Sequence, residues 1–223
     1  MLKRNLTSEL VAKFKEFMDK ILELRKEGKN QEALTTIDDT FKEIFRLSSK
    51  FFNSFSDENL LDMIKTDGTI NADKCIMMAK LLEEEALIFE DENNLDEAFY
   101  MNLKSLNLFL EAYVNKNDDC DLQNYFSDIE PIIEKVSSYK IPISIQNKIM
   151  DYYLKINSYD KAEDVFYDIL ENNNFDKNII EKGLNFYEAL LLKGDKDLNE
   201  NNLPREEINE SIKFLKNKLS ANS

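Results

Sequence analysis

Apolar residues recur every three or four positions along almost the whole chain, and no stretch alternates with a period of two, so the pattern predicts helices throughout. A first helix is expected from a cap at Thr7 or Ser8 to Glu27, with Leu10, Phe14, Phe17, Ile21 and Leu24 on one stripe and Gly28 as its stop. A second begins at Asn30 and carries Leu34, Ile37, Phe41, Ile44, Ser48, Phe51 and Phe55 in strict 3-4 alternation, either unbroken to Phe55 or fraying near Ser48. Ser56 caps a short helix over 57–65, which ends at the Asp67-Gly68 turn. Asn71 opens a long helix, and Asn94 with Glu97 reads as the capping box of the next. Residues 115–121 are polar and acidic and read as a hinge. Beyond them, helices are expected near 122–138 (interrupted or restarted at Pro131), 142–156, 159–172, 177–193 and 205–219, about ten in all.

The punctuation repeats. Ala33, Ala98 and Ala162 each sit early in a second helix, after the turns Gly28-Lys-Asn-Gln-Glu, Asn93-Asn-Leu-Asp-Glu and Asn157-Ser-Tyr-Asp-Lys. A small side chain at that place lets two antiparallel helices approach closely. The spacings of 65 and 64 residues are near twice a helix–turn–helix unit of about 34. Here the chain resembles the tetratricopeptide repeat (TPR). The middle unit has Ala86 and Phe89 twelve and nine positions before Ala98, and the third has Tyr153 nine before Ala162. No unit carries that family's tryptophan or closing proline. The stretch from Leu60 through Leu110 is also similar to a family of uncharacterised helical proteins of low-GC Gram-positive bacteria, which has no assigned activity. The TPR resemblance implies a groove lined by first helices. In the middle unit its positions fall on Lys80, Glu83, Leu87, Glu90 and Asp91, and in the third on Ser144, Asn147, Asp151, Leu154 and Lys155. In the first unit they fall on Lys15, Met18, Leu22, Arg25 and Lys26. A basic first segment beside an acidic middle one suits an extended dipolar peptide.

Charge narrows the partners. The chain has 223 residues with 29 basic and 44 acidic side chains, a formal net charge of −15, and residues 57–134 alone hold 20 acids against 5 bases. Such a chain repels phosphate backbones and anionic headgroups, so neither nucleic acid nor a membrane is an expected partner. A cationic protein or peptide is. With no histidine, and with Cys75 and Cys120 far from metal-ligand spacing, neither a metal nor a cofactor is expected. Two ordinary thiols and an N-terminal segment with charge in every turn suit the cytoplasm.

Three further features bear on chemistry. Asp195, Asp197, Asn199, Asn201 and Glu206 fall at the oxygen-bearing places of a calcium loop counted from Asp195. However, Glu200 stands where the loop needs glycine, so a polar inter-helix loop is the expectation there. Phe41, Phe45, Phe52 and Phe55 read as core; their spacing also allows a coiled-coil seam, which keeps a homodimer open. Carboxylate pairs abound, but there is no glycine-rich phosphate loop and no Ser/His or Cys/His pair.

The expectation is an all-α chain of antiparallel helical hairpins stacked as a short TPR-like superhelix, one domain over 1–223 or two halves, 1–115 and 121–223, joined by the acidic loop. Its expected role is a non-catalytic scaffold or adaptor holding a peptide or protein in its groove. A peptide-sensing regulator acting through another protein is the second reading, and a carboxylate-based enzyme the third.

Overall fold

The computed structural model describes residues 2–55, 57–66, 68–116 and 120–221. Among them are twelve α-helices: α1 (Leu2–Lys26), α2 (Asn30–Phe45), α3 (Ser49–Asn53), α4 (Asp57–Ile64), α5 (Ala72–Asp91), α6 (Leu95–Asn115), α7 (Ile129–Val136), α8 (Ile143–Lys155), α9 (Tyr159–Asn172), α10 (Lys177–Leu191), α11 (Asp195–Glu200) and α12 (Arg205–Ala221). A 3-10 turn (Gln123–Asp128) precedes α7, and β1 (Lys65–Thr66) pairs antiparallel with β2 (Thr69–Ile70) around Gly68. No helix among the described residues is long and apolar enough to cross a membrane. The cap expected at Ser56, the turn residue Asp67 and the acidic Asp118 and Asp119 lie outside the described residues.

The chain forms two compact units, residues 1–140 and 141–223. The acidic stretch read as a hinge lies within the first. Cys120 and Leu122 are buried there, and the Leu122 amide and the Cys120 thiol both donate to Oδ1 of Asp73, at 3.0 and 3.5 Å. A stretch fastened to α5 in this way does not divide the chain, and the boundary falls at Lys140 instead.

The hairpins α1–α2, α5–α6 and α8–α9 share one turn. Gly28, Asn93 and Asn157 each take positive φ (72°, 58° and 59°), five positions before the buried Ala33, Ala98 and Ala162. The following amide reaches back over the helix end in each case: Lys29 N to Leu24 O at 2.9 Å, Asn94 N to Phe89 O at 2.8 Å, Ser158 N to Tyr153 O at 2.9 Å. This is the left-handed stop that satisfies orphan carbonyls, and glycine or asparagine occupies it because a β-carbon with no local hydrogen bond is strained there. Asn157 is further held by the Tyr159 hydroxyl, which donates to its Oδ1 at 2.9 Å. Asn157→Ala should therefore destabilise the second unit by about 1 kcal/mol and Asn157→Gly by only a few tenths. Urea denaturation of the two variants checks this, and equal losses would be incompatible with a conformational origin.

Of the two readings of the α2 stripe, the break near Ser48 is the one found: α2 ends at Phe45 and Arg46 takes positive φ (65°). Ser48 then caps α3, its Oγ accepting from the Phe51 amide. The chain folds back, setting the Phe52 ring 5.0 Å from Phe41 and 5.6 Å from Phe45, with Phe41 and Phe52 buried. A coiled-coil seam needs a continuous helix, which this break removes. α1, for its part, is already helical at Leu2 rather than starting at Thr7 or Ser8.

In the first unit α5 is the central element, covered by α1, α2, α4, α6 and the 3-10 turn. Seven of the eight residues from Cys75 to Leu82 are apolar and buried, the pattern of a helix enclosed on all sides. In the second unit, Tyr152, Tyr159, Phe166, Leu170, Ile180, Tyr187, Ile208 and Leu215 form the core.

Candidate functional site

One groove position of the first unit, Arg25, meets the charged cluster of the middle unit. Lys80 and Glu83 are each only 9% exposed, and Glu84 beside them 1%. The Lys80 ammonium lies 2.8 Å from Glu83 Oε2, 3.2 Å from Glu84 Oε1 and 3.0 Å from Asp128 Oδ2, and 5.6 Å from the Tyr125 ring centroid. Arg25 of α1 closes the cluster from the other side, pairing with Glu84 at 2.5 Å and with the exposed Asp91 at 3.7 Å. Of the basic segment expected to receive a dipolar peptide, only Arg25 joins the acidic one; Lys15, Leu22 and Lys26 are exposed and Met18 is buried. Leu87 is half-buried. Glu90 accepts from Lys135 and from Asn102 Nδ2.

Burial alone would lower the Lys80 pKa, but Glu83, Glu84 and Asp128 more than reverse this and hold it above the ordinary ammonium value. Desolvation pushes the Glu83 carboxyl up to about 7, more than the Lys80 charge can pull it back, with Asp128 and Glu84 adding to the rise. The two shifts are consistent because one ammonium serves three carboxylates, so each receives only part of its charge. The cluster is largely buried and ties α1, α5 and the 3-10 turn together, with Arg25 Nε buried and left without a hydrogen-bond partner.

Both cysteines of this unit are free and buried. Desolvation first, and the nearby Glu111, push the Cys75 thiol up to about 12; desolvation and Asp73 push Cys120 up to about 11.

The second unit places its candidates differently. Two adjoining cavities of about 190 and 400 Å³ lie between α8 and α10 and share Met150, Asp151 and Lys182, so they form one groove. Of the expected groove residues, Asn147, Asp151 and Leu154 line it, while Lys155 stands exposed at the end of α8. Phe166 of α9 forms part of the wall. It reaches that place because α10 has a glycine, Gly183, where an added β-carbon would stand 2.1 Å from Phe166 Cζ. The groove is largely apolar, with Asp151 on the α8 side and Lys182 on the α10 side. Neither of the two makes an ion pair or a hydrogen bond among the described residues. Partial desolvation holds the Asp151 carboxyl above its usual range, and the Lys155 charge only partly offsets it.

Tyr153 and Ala162, with Ala33, Ala86 and Ala98 of the first unit, are buried as hairpin anchors, and Phe89 is half-buried. Next to Ala162, sequence reasoning missed Glu163, 8% exposed, whose Oε1 accepts from Tyr187 at 2.5 Å and from Ser211 at 3.2 Å. Desolvation raises its pKa, and the two hydroxyl donors partly restore it. The only sequence cue was a carboxylate directly after a buried small residue, on the inner face of its helix.

The calcium-loop candidates do not share one loop: Asn201 alone stands in the turn after α11. Asp195, Asp197 and Asn199 lie in α11, where Asp195 pairs with Arg205 and Asp197 accepts from Asn201 Nδ2 at 2.9 Å and from the Tyr159 hydroxyl at 3.2 Å. Glu206 is exposed at the start of α12. No group of three or more acidic or cysteine side chains among the described residues is arranged to hold a metal ion.

Hairpins closed by left-handed turns, a buried ion cluster in one unit and an open apolar groove in the other define an all-α helical-hairpin protein. The chain belongs to a family of unknown function, DUF6483, whose model matches residues 1–220. No curated protein and no solved structure matches it.

Proposed function

We propose that this is a non-catalytic adaptor of TPR-like construction that holds an extended peptide segment of a partner protein in the α8–α10 groove. The observation that carries this reading is the continuity of the groove: two cavities joined at Met150, Asp151 and Lys182, apolar along their length, with an unpaired charge on either side. An extended segment presents alternate side chains to such a groove, while its backbone offers N–H groups to Asp151 and carbonyls to Lys182. A combined space of this order accommodates a few aliphatic side chains. Two free buried thiols favour a reducing compartment, and abundant Asn, Lys and Ile favour an AT-rich genome, so we place the protein in the cytoplasm of a low-GC Gram-positive bacterium.

Selection of a random peptide library on the full chain tests the reading. Enriched peptides should share an apolar pattern. Asp151→Lys and Lys182→Glu should each weaken the best of them by about tenfold, the effect of losing one charge-assisted hydrogen bond. Asp96→Lys, a charge reversal of the first unit, should change nothing. A library that yields no common pattern, or peptides indifferent to both groove variants, would rule the groove out as the binding surface.

A further inference from the structure

A second cavity, of about 220 Å³, lies in the first unit between α6 and α7, and its floor holds an unsatisfied acceptor. Asn102 of α6 lines it and is 3% exposed. Its Nδ2 donates to Glu90 Oε1 at 3.0 Å, which fixes the amide orientation, since the reverse would set Oδ1 against the carboxylate. Oδ1 is left buried with no hydrogen-bond partner. Buried polar atoms in native proteins are nearly always satisfied, so an orphan beside a cavity is an acceptor waiting for a donor.

Glu90, in the same wall, accepts from Asn102 and from Lys135, the latter at 3.0 and 2.8 Å. A carboxylate has about four acceptor sites, so one is left. The lining also holds an aromatic pair, Phe99 and Tyr139, with ring centroids 4.5 Å apart, and Tyr139 is 42% exposed. Glu92, Asp96 and Glu97, with Asp91 paired to Arg25, lie around the α5–α6 turn beside it and Glu134 lies on α7, so acids outnumber Lys135 and Lys140 there. The cavity thus offers spare acceptors, a flat π surface and a negative field.

We propose that this cavity binds a guanidinium group, which donates to Asn102 Oδ1 and Glu90 and stacks on Tyr139. A guanidinium carries five N–H donors in a planar fork and sheds its hydration readily, so it meets two separate acceptors and a ring at once. An ammonium is a compact, strongly hydrated point charge that does neither as well. The group can come from a free metabolite or from an arginine side chain of a partner.

Calorimetric titration of the full chain with L-arginine, agmatine and a blocked arginine tripeptide, each against its lysine counterpart, tests the site. Saturable 1:1 binding at least tenfold tighter for the guanidinium compounds is expected. Preference for agmatine or for the tripeptide identifies the free or the peptide source. Asn102→Leu and Tyr139→Ala should each weaken binding about tenfold; because Tyr139 is exposed, its variant stays informative if Asn102→Leu misfolds. Lys135→Ala, which frees Glu90, should tighten binding several-fold, a sign that damage to the fold would not produce. No saturable binding, equal binding of lysine compounds, or folded Asn102 and Tyr139 variants that bind as the parent does would each overturn the proposal. Asp151→Lys and Lys182→Glu should leave this binding unchanged, so the two sites stand or fall separately.

Discussion

Lys80→Met is expected to destabilise the first unit by about 3–5 kcal/mol at pH 8, the scale for removing one partner from a buried ion pair. The variant keeps the volume and the helix propensity, so packing is largely preserved. What it removes is the one cation within hydrogen-bonding distance of Glu83, Glu84 and Asp128 together. Arg25 still holds Glu84 but has no contact with Glu83. The melting temperature of this unit should fall by on the order of 10 °C.

The loss should also depend on pH, with a definite sign. Glu83 has a folded pKa of about 7 against an ordinary 4.5, so the folded state binds its proton more tightly than the unfolded chain does. Its ionisation therefore costs stability as pH rises from about 4.5 through 7, and the penalty is complete above that. The parent protein should accordingly gain stability from this group on going from pH 8 to pH 6. Without Lys80, Glu83 is pushed further up, so the deficit of the variant should be largest at pH 8 and shrink toward pH 5. Thermal melts at four pH values decide it. A deficit that stays constant across that range would show that lost packing, not charge, is responsible.

Gly183→Leu is expected to cost about 3 kcal/mol in the second unit. Two effects oppose each other here. Replacing a mid-helix glycine gains up to about 1 kcal/mol in helix propensity. Overpacking costs typically 1–3 kcal/mol and more where neighbours cannot yield. An added β-carbon would stand 2.1, 2.6 and 2.9 Å from three atoms of the Phe166 ring. That ring is 3% exposed and is hemmed in by Tyr167, Phe186 and Tyr187 at centroid distances of 5.7, 6.0 and 6.0 Å. Swinging aside would take it off these rings and into the groove it lines, so the steric effect wins. Phe166→Leu placed in the same chain should recover part of the loss, a non-additivity confined to residues in contact. Urea denaturation of both single variants and the double variant measures the coupling; strict additivity would mean that the contact does not govern the packing of α10 on α9.

What could be read from the sequence follows the strength of its local signals. The later helices were expected at 142–156, 159–172 and 205–219, close to Ile143–Lys155, Tyr159–Asn172 and Arg205–Ala221, because proline, asparagine and a clean apolar period mark them. The three hairpins were legible from alanines at 33, 98 and 162, all buried. The α2–α3 break was legible only as one of two options near Ser48, since Arg46 takes positive φ without being glycine, asparagine or aspartate. Tertiary packing of Phe52 on Phe41 drives that turn, and no local pattern encodes it. The groove expected on α5 follows from the TPR resemblance, whose pattern does not show which of these charges are buried. A cue was present, however: Lys80 stands alone within the apolar run 75–82, which has no polar face for it to occupy. Asn102 and Lys135 were missed as a pair because they approach Glu90 from two other helices.

The two thiols, both on the α5 side of the molecule and both suppressed, provide a natural clock. A maleimide or iodoacetamide acts on the thiolate, so it must wait for Cys75 or Cys120 to come into water. Residues 141–223 contain no cysteine, and alkylation kinetics consequently time the opening of the first unit while remaining blind to the second.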